Sequence, residues 1–165
     1  MSKKFHELME MGCIVKLKES EKEEYCYFLE HSWKDNFKAS EYNLNSFPRW
    51  SIIAGYYAMH DLAKLFLAKK YNLKITKRVH FSTIVSFESI LEEKELREKV
   101  IKLLKQAELY YSEIDLPIYL RIAKKERELT QYYTGKKTIV GIDKAKYFLD
   151  NIVKPFVFIL EKLIR

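Results

Sequence analysis

Residues 51–66, SIIAGYYAMHDLAKLF, decide what kind of fold this chain adopts. Placed on a wheel at about 100° per residue, Ile52, Tyr56, Met59, Ala63, Phe66 and Leu67 fall in one apolar sector, which is the period of a helix. Tyr57, His60, Asp61 and Lys64 gather on another side as a polar stripe. Such a stripe has two readings. Its rings can sit at the margin of a core, bodies buried and tips wet, or they can wall a binding cleft. His60 and Asp61 are adjacent, so on a helix their side chains diverge by about 100° and do not orient one another. Lys64 lies one turn beyond His60 and disfavours a charged imidazole, which leaves a neutral ring able to donate or accept one hydrogen bond.

Outward from this segment, helical signals dominate. Ser20 with Glu23 has the spacing of a capping box, ahead of a long helix-period stretch that runs to about Leu44. Phe5 to Lys16 reads as a shorter helix before it. NSFP breaks the pattern, and Pro48, whose missing N–H costs nothing in a first turn, opens the next helix, which is expected to end near Tyr71. NLKITKRV, residues 72–79, reads as a loop or short extended link. Helical spacing resumes through Ile84, Phe87 and Leu91, and a further helix from about Glu93 to Tyr110 carries Val100, Leu103, Leu104 and Ala107 on one side. After YSEIDLP, Ile118, Ile122, Leu129 and Tyr133 give another apolar face, with Gly135 placed as a C-terminal cap. A last helix from about Asp143 to Ile164 contains Pro155, which is expected to kink or restart it. Strand signals are confined to LKIT and KKTIV, and no internal repeat is evident.

These elements predict an all-α fold: a four- to five-helix, up-down antiparallel bundle with short extra helices, forming one domain over residues 1–165, the first nineteen being an N-terminal extension or short helix. Only four glycines and three prolines are present, too few for the turns of a many-stranded sheet. The formal charge of +7 points to an anionic partner, whether nucleic acid, nucleotide or acidic protein. Mixed runs such as LEEKELREK, residues 91–99, read as solvated helix faces. Cys13 and Cys26 form no CxxC pair, and His6, His31, His60 and His80 are scattered, so no metal or other cofactor is expected. No stretch reaches the length of an apolar membrane span and the N-terminus lacks a signal-peptide core, so a cytoplasmic protein without membrane contact is expected. GxSxG, P-loop, GxGxxG and HExxH motifs are all absent from the sequence.

Another dense stretch is residues 118–137, IYLRIAKKERELTQYYTGKK, where Arg121, Lys124, Lys125 and Arg127 precede Tyr132 and Tyr133. Guanidinium groups grip phosphate and tyrosine rings stack on unpaired bases, a combination suited to RNA. The same cations also answer a helix C-terminal dipole, with no ligand involved.

Three stretches together resemble the HEPN superfamily, helical bundles that accompany nucleotidyltransferases and many RNA-targeting defence systems in prokaryotes. YYAMHDLAKLFL, residues 56–67, is similar to the family's second long helix; HFSTIVSF, residues 80–87, to the His-led segment after it; and RELTQY, residues 127–132, to the late motif R-x-x-A-D-Y or R-x4-H. With the last helix, the resemblance covers residues 48–165. It implies a bundle that is usually dimeric and, in active members, a metal-independent ribonuclease in which an arginine stabilises the scissile phosphate and a histidine carries the proton. Arg127 matches the arginine, whereas Tyr132 stands where the nuclease members have histidine. An unperturbed tyrosine titrates near 10 against about 6.5 for histidine, so it is a poor proton shuttle at neutral pH. Residues five apart on a helix also point about 140° from one another, so Arg127 and Tyr132 converge only if the helix ends between them or a second chain contributes.

The expectation is therefore a homodimeric HEPN-type module, non-catalytic or weakly active, binding RNA, a nucleotide or a nucleotidyltransferase partner protein. Its basic groove is expected to be lined by Tyr57, His60, Lys64, Arg121, Lys124 and Tyr133. The alternative is a metal-independent endoribonuclease of toxin or defence type, with Arg127 as phosphate clamp and His80 or Tyr132 as proton carrier. A third is a structural interaction bundle whose charge is incidental.

Overall fold

The computed structural model describes residues 2–114 and 140–165. Its organising element is the helix opened by Pro48. Proline occupies the first turn of α3 (Pro48–Tyr71), and Asn72, in the left-handed region at φ 52°, closes it by turning its N–H back to the carbonyls of Ala68 and Leu67. Between Ser51 and Ala68 a single residue, Tyr57, is exposed. Helix α3 is thus wrapped on every side, as its run of Ile, Leu, Phe, Met and Ala requires.

Helix α2 (Glu19–Asn43) reaches α3 through the short link at residues 44–47, so the two lie antiparallel. Their contact is close because small residues face one another. Ser40 Oγ donates to the Ser51 carbonyl at 2.8 Å, and Ser51 Oγ donates to the Ser40 carbonyl at 2.7 Å. Gly55 lies one turn further along α3, where a Cβ would meet Ser40 Oγ at 2.9 Å and side-chain carbons of Phe148 and Val153 at 3.0 Å each. The remaining faces of α3 are covered by α4 (Val79–Ile90), α5 (Lys94–Ser112), α6 (Ile142–Phe148), a π turn (Leu149–Val153) and α7 (Lys154–Ile164). At one end, α1 (Lys3–Glu10) packs on α4 beside a small antiparallel sheet of β1 (Ile14–Lys16) and β2 (Leu73–Ile75), in register Ile14↔Ile75, Val15↔Lys74 and Lys16↔Leu73. Phe5, Ile14, Tyr56, Phe87, Phe148 and Phe156 are among the largest side chains in the common core. The molecule is an all-α helical bundle with this small sheet as its only pairing of strands among the described residues, and no described helix is long and apolar enough to cross a membrane.

Several local expectations change in the folded chain. The helix expected over Phe5–Lys16 stops at Glu10, because Gly12 adopts φ 64° and turns the chain into β1. Residues 14–16 then pair with the extended link after α3, an interaction invisible to local periodicity. The Ser20–Glu23 capping box does not form. Leu17 N–H bonds to the Asn72 carbonyl, which keeps the chain extended through the sheet, and α2 starts at Glu19 with Lys18 at its N-cap and no side-chain cap bond. Glu19 and Glu21 in the first turn favour the helix dipole instead. The interruption expected at Pro155 takes the form of the π turn just before it, which loosens the hydrogen-bond ladder where proline cannot donate. The helix expected over residues 118–133 and the cap at Gly135 lie outside the described residues.

The close α2–α3 approach sets a measurable expectation. Gly55→Val should force Ser40, Phe148 and Val153 apart and lower the unfolding free energy by about 2–3 kcal/mol. Urea unfolding checks this, the midpoint falling while the slope stays that of the parent chain.

Candidate functional site

Three helices bring five aromatic or imidazole side chains to one place. Tyr56, Tyr57 and His60 come from the middle of α3, His80 from the first turn of α4, and Tyr111 from the last turn of α5. Arg78, in the left-handed region at φ 48°, reverses the chain after β2 and starts α4 in the direction that carries His80 onto α3. Tyr56 and Tyr111 stack with centroids 4.0 Å apart and planes within 10°. The hydroxyls of Tyr57 and Tyr111 are 3.1 Å apart, a hydrogen bond that holds the Tyr57 ring at the surface with 43% of its area exposed. His60 stands edge to face with both Tyr56 and His80, at 4.6 and 4.7 Å between centroids. Tyr56 Oη lies within hydrogen-bond distance of both ring nitrogens of His80, at 3.1 Å from Nε2, and His60 Nε2 lies 3.2 Å from His80 Nδ1.

The proton positions follow from burial. His60 is 4% exposed, and its pKa is pushed down to about 3, chiefly by removal from water and further by the neighbouring His80 and Lys64. It is neutral at physiological pH and carries one ring proton. Its Nδ1 is buried with no hydrogen-bond partner among the described residues. A proton there would be a buried, unpaired N–H costing about 1–3 kcal/mol, whereas a proton on Nε2 is aimed at His80. His60 Nε2 is therefore placed to donate to His80 Nδ1, an atom that the Tyr56 hydroxyl also approaches.

The polar stripe read from the wheel divides in three dimensions. Tyr57 and His60 face α4 and α5, while Asp61 turns to α2, accepting from Ser32 Oγ at 2.6 Å and Asn36 Nδ2 at 3.3 Å and pairing with Lys64 at 2.6 Å. Burial, then the charges of Asp61 and Cys26, push the nearby Tyr25 hydroxyl up to about 12. Lys64 is thus engaged with Asp61 and reaches His60 only through its field. Arg121, Lys124, Arg127, Tyr132 and Tyr133 lie outside the described residues.

Two participants escaped sequence reasoning. Tyr56 reads as a core residue from its sector, and it is fully buried, yet its hydroxyl is part of the polar cluster. Tyr111 carried no motif; the pair Tyr110–Tyr111 closing an otherwise charged helix was the available signal. No group of three or more His, Cys, Asp or Glu side chains suited to a metal occurs among the described residues. His60 and His80 present two nitrogens to each other.

No family model matches the chain, and no curated protein or solved structure does so either. The resemblance to the HEPN superfamily accordingly rests on the three sequence stretches.

The protonation state of His60 has a thermodynamic consequence. As pH falls below 6.5 the unfolded chain takes up a proton at this residue, while the folded chain resists until about 3. The stability present above the unfolded value is therefore lost on acidification, by up to about 1.4 kcal/mol per pH unit from this group. Urea unfolding between pH 7 and pH 4 should show that decline, and His60→Gln, which retains a donor toward His80 but does not titrate, should show a shallower slope.

Proposed function

We propose that the chain is a HEPN-type helical module that binds RNA, with little or no cleavage of its own. The observation that carries this reading is Tyr57. It is the single exposed residue in the buried stretch Ser51–Ala68, and it is fixed by its hydroxyl to Tyr111 at the edge of the Tyr56–Tyr111 stack and the His60–His80 pair. A ring held in place at the surface offers a π face to an unpaired base without losing much freedom on binding, and such stacking contributes about 1–3 kcal/mol per base. The net charge of +7 draws phosphate toward the molecule. Since Lys64 is paired with Asp61, the cations of the groove fall to Arg121 and Lys124 of the basic stretch and to Arg127, the one the resemblance implies, with Tyr133 as a further stacking ring. The same resemblance supports a homodimer, with a nucleotide or a nucleotidyltransferase partner protein as the alternatives to RNA.

Tyr132, standing where the resemblance places the nuclease histidine, favours binding over cleavage. A second reading, a metal-independent endoribonuclease of toxin type, draws support from the presence of His80 within a hydrogen-bonded Tyr–His cluster. There Arg127 would clamp the scissile phosphate and His80 or Tyr132 would move the proton. Tyr132 is the weaker carrier of the two.

Fluorescence anisotropy with a single-stranded RNA distinguishes the readings when paired with a cleavage assay in EDTA. Binding should weaken steeply between about 50 and 200 mM salt, and Tyr57→Ala should lose about tenfold or more in affinity without loss of fold. Cutting by the parent protein but not by Arg127→Ala, with 2′,3′-cyclic phosphate ends, would establish the nuclease instead. Absence of both binding and cutting would leave the structural interaction bundle.

A further inference from the structure

Away from the Tyr–His cluster, the corner between α1, the small sheet and the end of α4 contains a cavity of about 400 Å³. That volume lies in the range of small-molecule sites, and its walls are of the corresponding kind. Phe5 and Met9 of α1, Leu73 of β2 and Ile90 at the end of α4 supply apolar surface. The polar groups that line it, Lys16, Tyr71 and Asn72, all belong to residues exposed to solvent. Lys16 pairs with Leu73 across the sheet, and Leu17 N–H bonds to the Asn72 carbonyl at 2.8 Å, so the backbone itself sets Lys16 beside Tyr71–Leu73. Within the described residues none of these three side chains makes a hydrogen bond or an ion pair, and Lys16 is the cavity's one charged lining residue.

We propose that this cavity binds a small amphipathic carboxylate, its apolar tail inside and its head at the rim. Lys16, Asn72 and Tyr71 line it with an ammonium, an amide N–H and a phenol O–H, donors that suit an anionic head, and among the described residues no acidic side chain lines the cavity to repel it. A tail on the order of eight carbons fits within such a volume, and each buried methylene adds to affinity. The left-handed conformation of Asn72 at φ 52° is what turns the chain from α3 into β2 and places Lys16, Tyr71 and Asn72 along one rim. The site shares no residue with the Tyr–His cluster and stands or falls independently of it.

Titration of the full chain with octanoate, followed by calorimetry and by ¹H–¹⁵N spectra, tests the proposal. Saturable binding is expected, with shifts at the amides of Leu73, Ile90 and Met9. Lys16→Met, a change at an exposed position, should weaken binding by about tenfold or more. Met9→Trp, which fills the cavity, should abolish it while leaving the thermal transition in place. Octan-1-ol, which has the tail without the charge, should bind the parent protein less tightly than octanoate and bind Lys16→Met and the parent alike. Failure of octanoate to bind at millimolar concentration, shifts located elsewhere, or unchanged affinity in both variants would overturn the site. Equal affinity for octanol and octanoate would overturn the role of Lys16.

Discussion

A helix buried on all sides must have its polar side chains paired inside the protein, and α3 carries several. Ser51, His60 and Asp61 are all removed from water. In an apolar surrounding each would cost free energy unless a neighbouring helix supplied a partner. The packing of the bundle answers that requirement element by element. Ser51 exchanges hydrogen bonds with Ser40 of α2, Asp61 takes Ser32 and Asn36 of α2 with its own Lys64, and His60 takes His80 of α4. These pairings are directional, whereas the apolar contacts around them are not. They fix the rotation of α3 about its axis and, through it, which residue is left to reach the surface.

The buried hydroxyls of α4 are handled differently. Thr83 and Ser86 donate to carbonyls four residues back in the same helix, and Ser82 donates to the Lys77 carbonyl. They need nothing from outside, so α4 is free to be oriented by its apolar residues and by His80. His60 differs from the exposed His6 and His31, whose Nδ1 atoms each lie against a carbonyl four residues earlier. Its Nδ1 has no such bond. That missing contact leaves Nε2 as the nitrogen through which His60 meets its partner, His80.

The α1–sheet corner shows a complementary case. Three-residue strands with one neighbour each are too short to be stable alone. They persist because Ile14 and Leu73 are buried against the bundle while Cys13 and Asn72 carbonyls receive bonds across the join. The corner closes over α3's C-terminal end without filling all of the space beneath it, leaving a cavity walled by apolar side chains and rimmed by polar ones.

The long helices were legible from the amino-acid pattern. The helix from Pro48 to Tyr71 has the bounds expected of it, since a first-turn proline and a left-handed asparagine are local, self-contained signals. The all-α class, the helix near residues 94–112 and the interruption at Pro155 follow for the same reason: period, capping and proline chemistry act over a few residues. The β1–β2 pairing, the lost capping box and the division of the Tyr57–His60–Asp61–Lys64 stripe were not legible. Each depends on which element packs where, across separations of tens of residues in the chain. From the residues alone it follows that α3 exists and that His60 rides on it beside Tyr56 and Tyr57. That His60 is sealed against His80, that Tyr56 joins them through its hydroxyl, and that Tyr57 is exposed come from the packed bundle, because burial and hydrogen-bond partners are properties of the assembly and of no single helix.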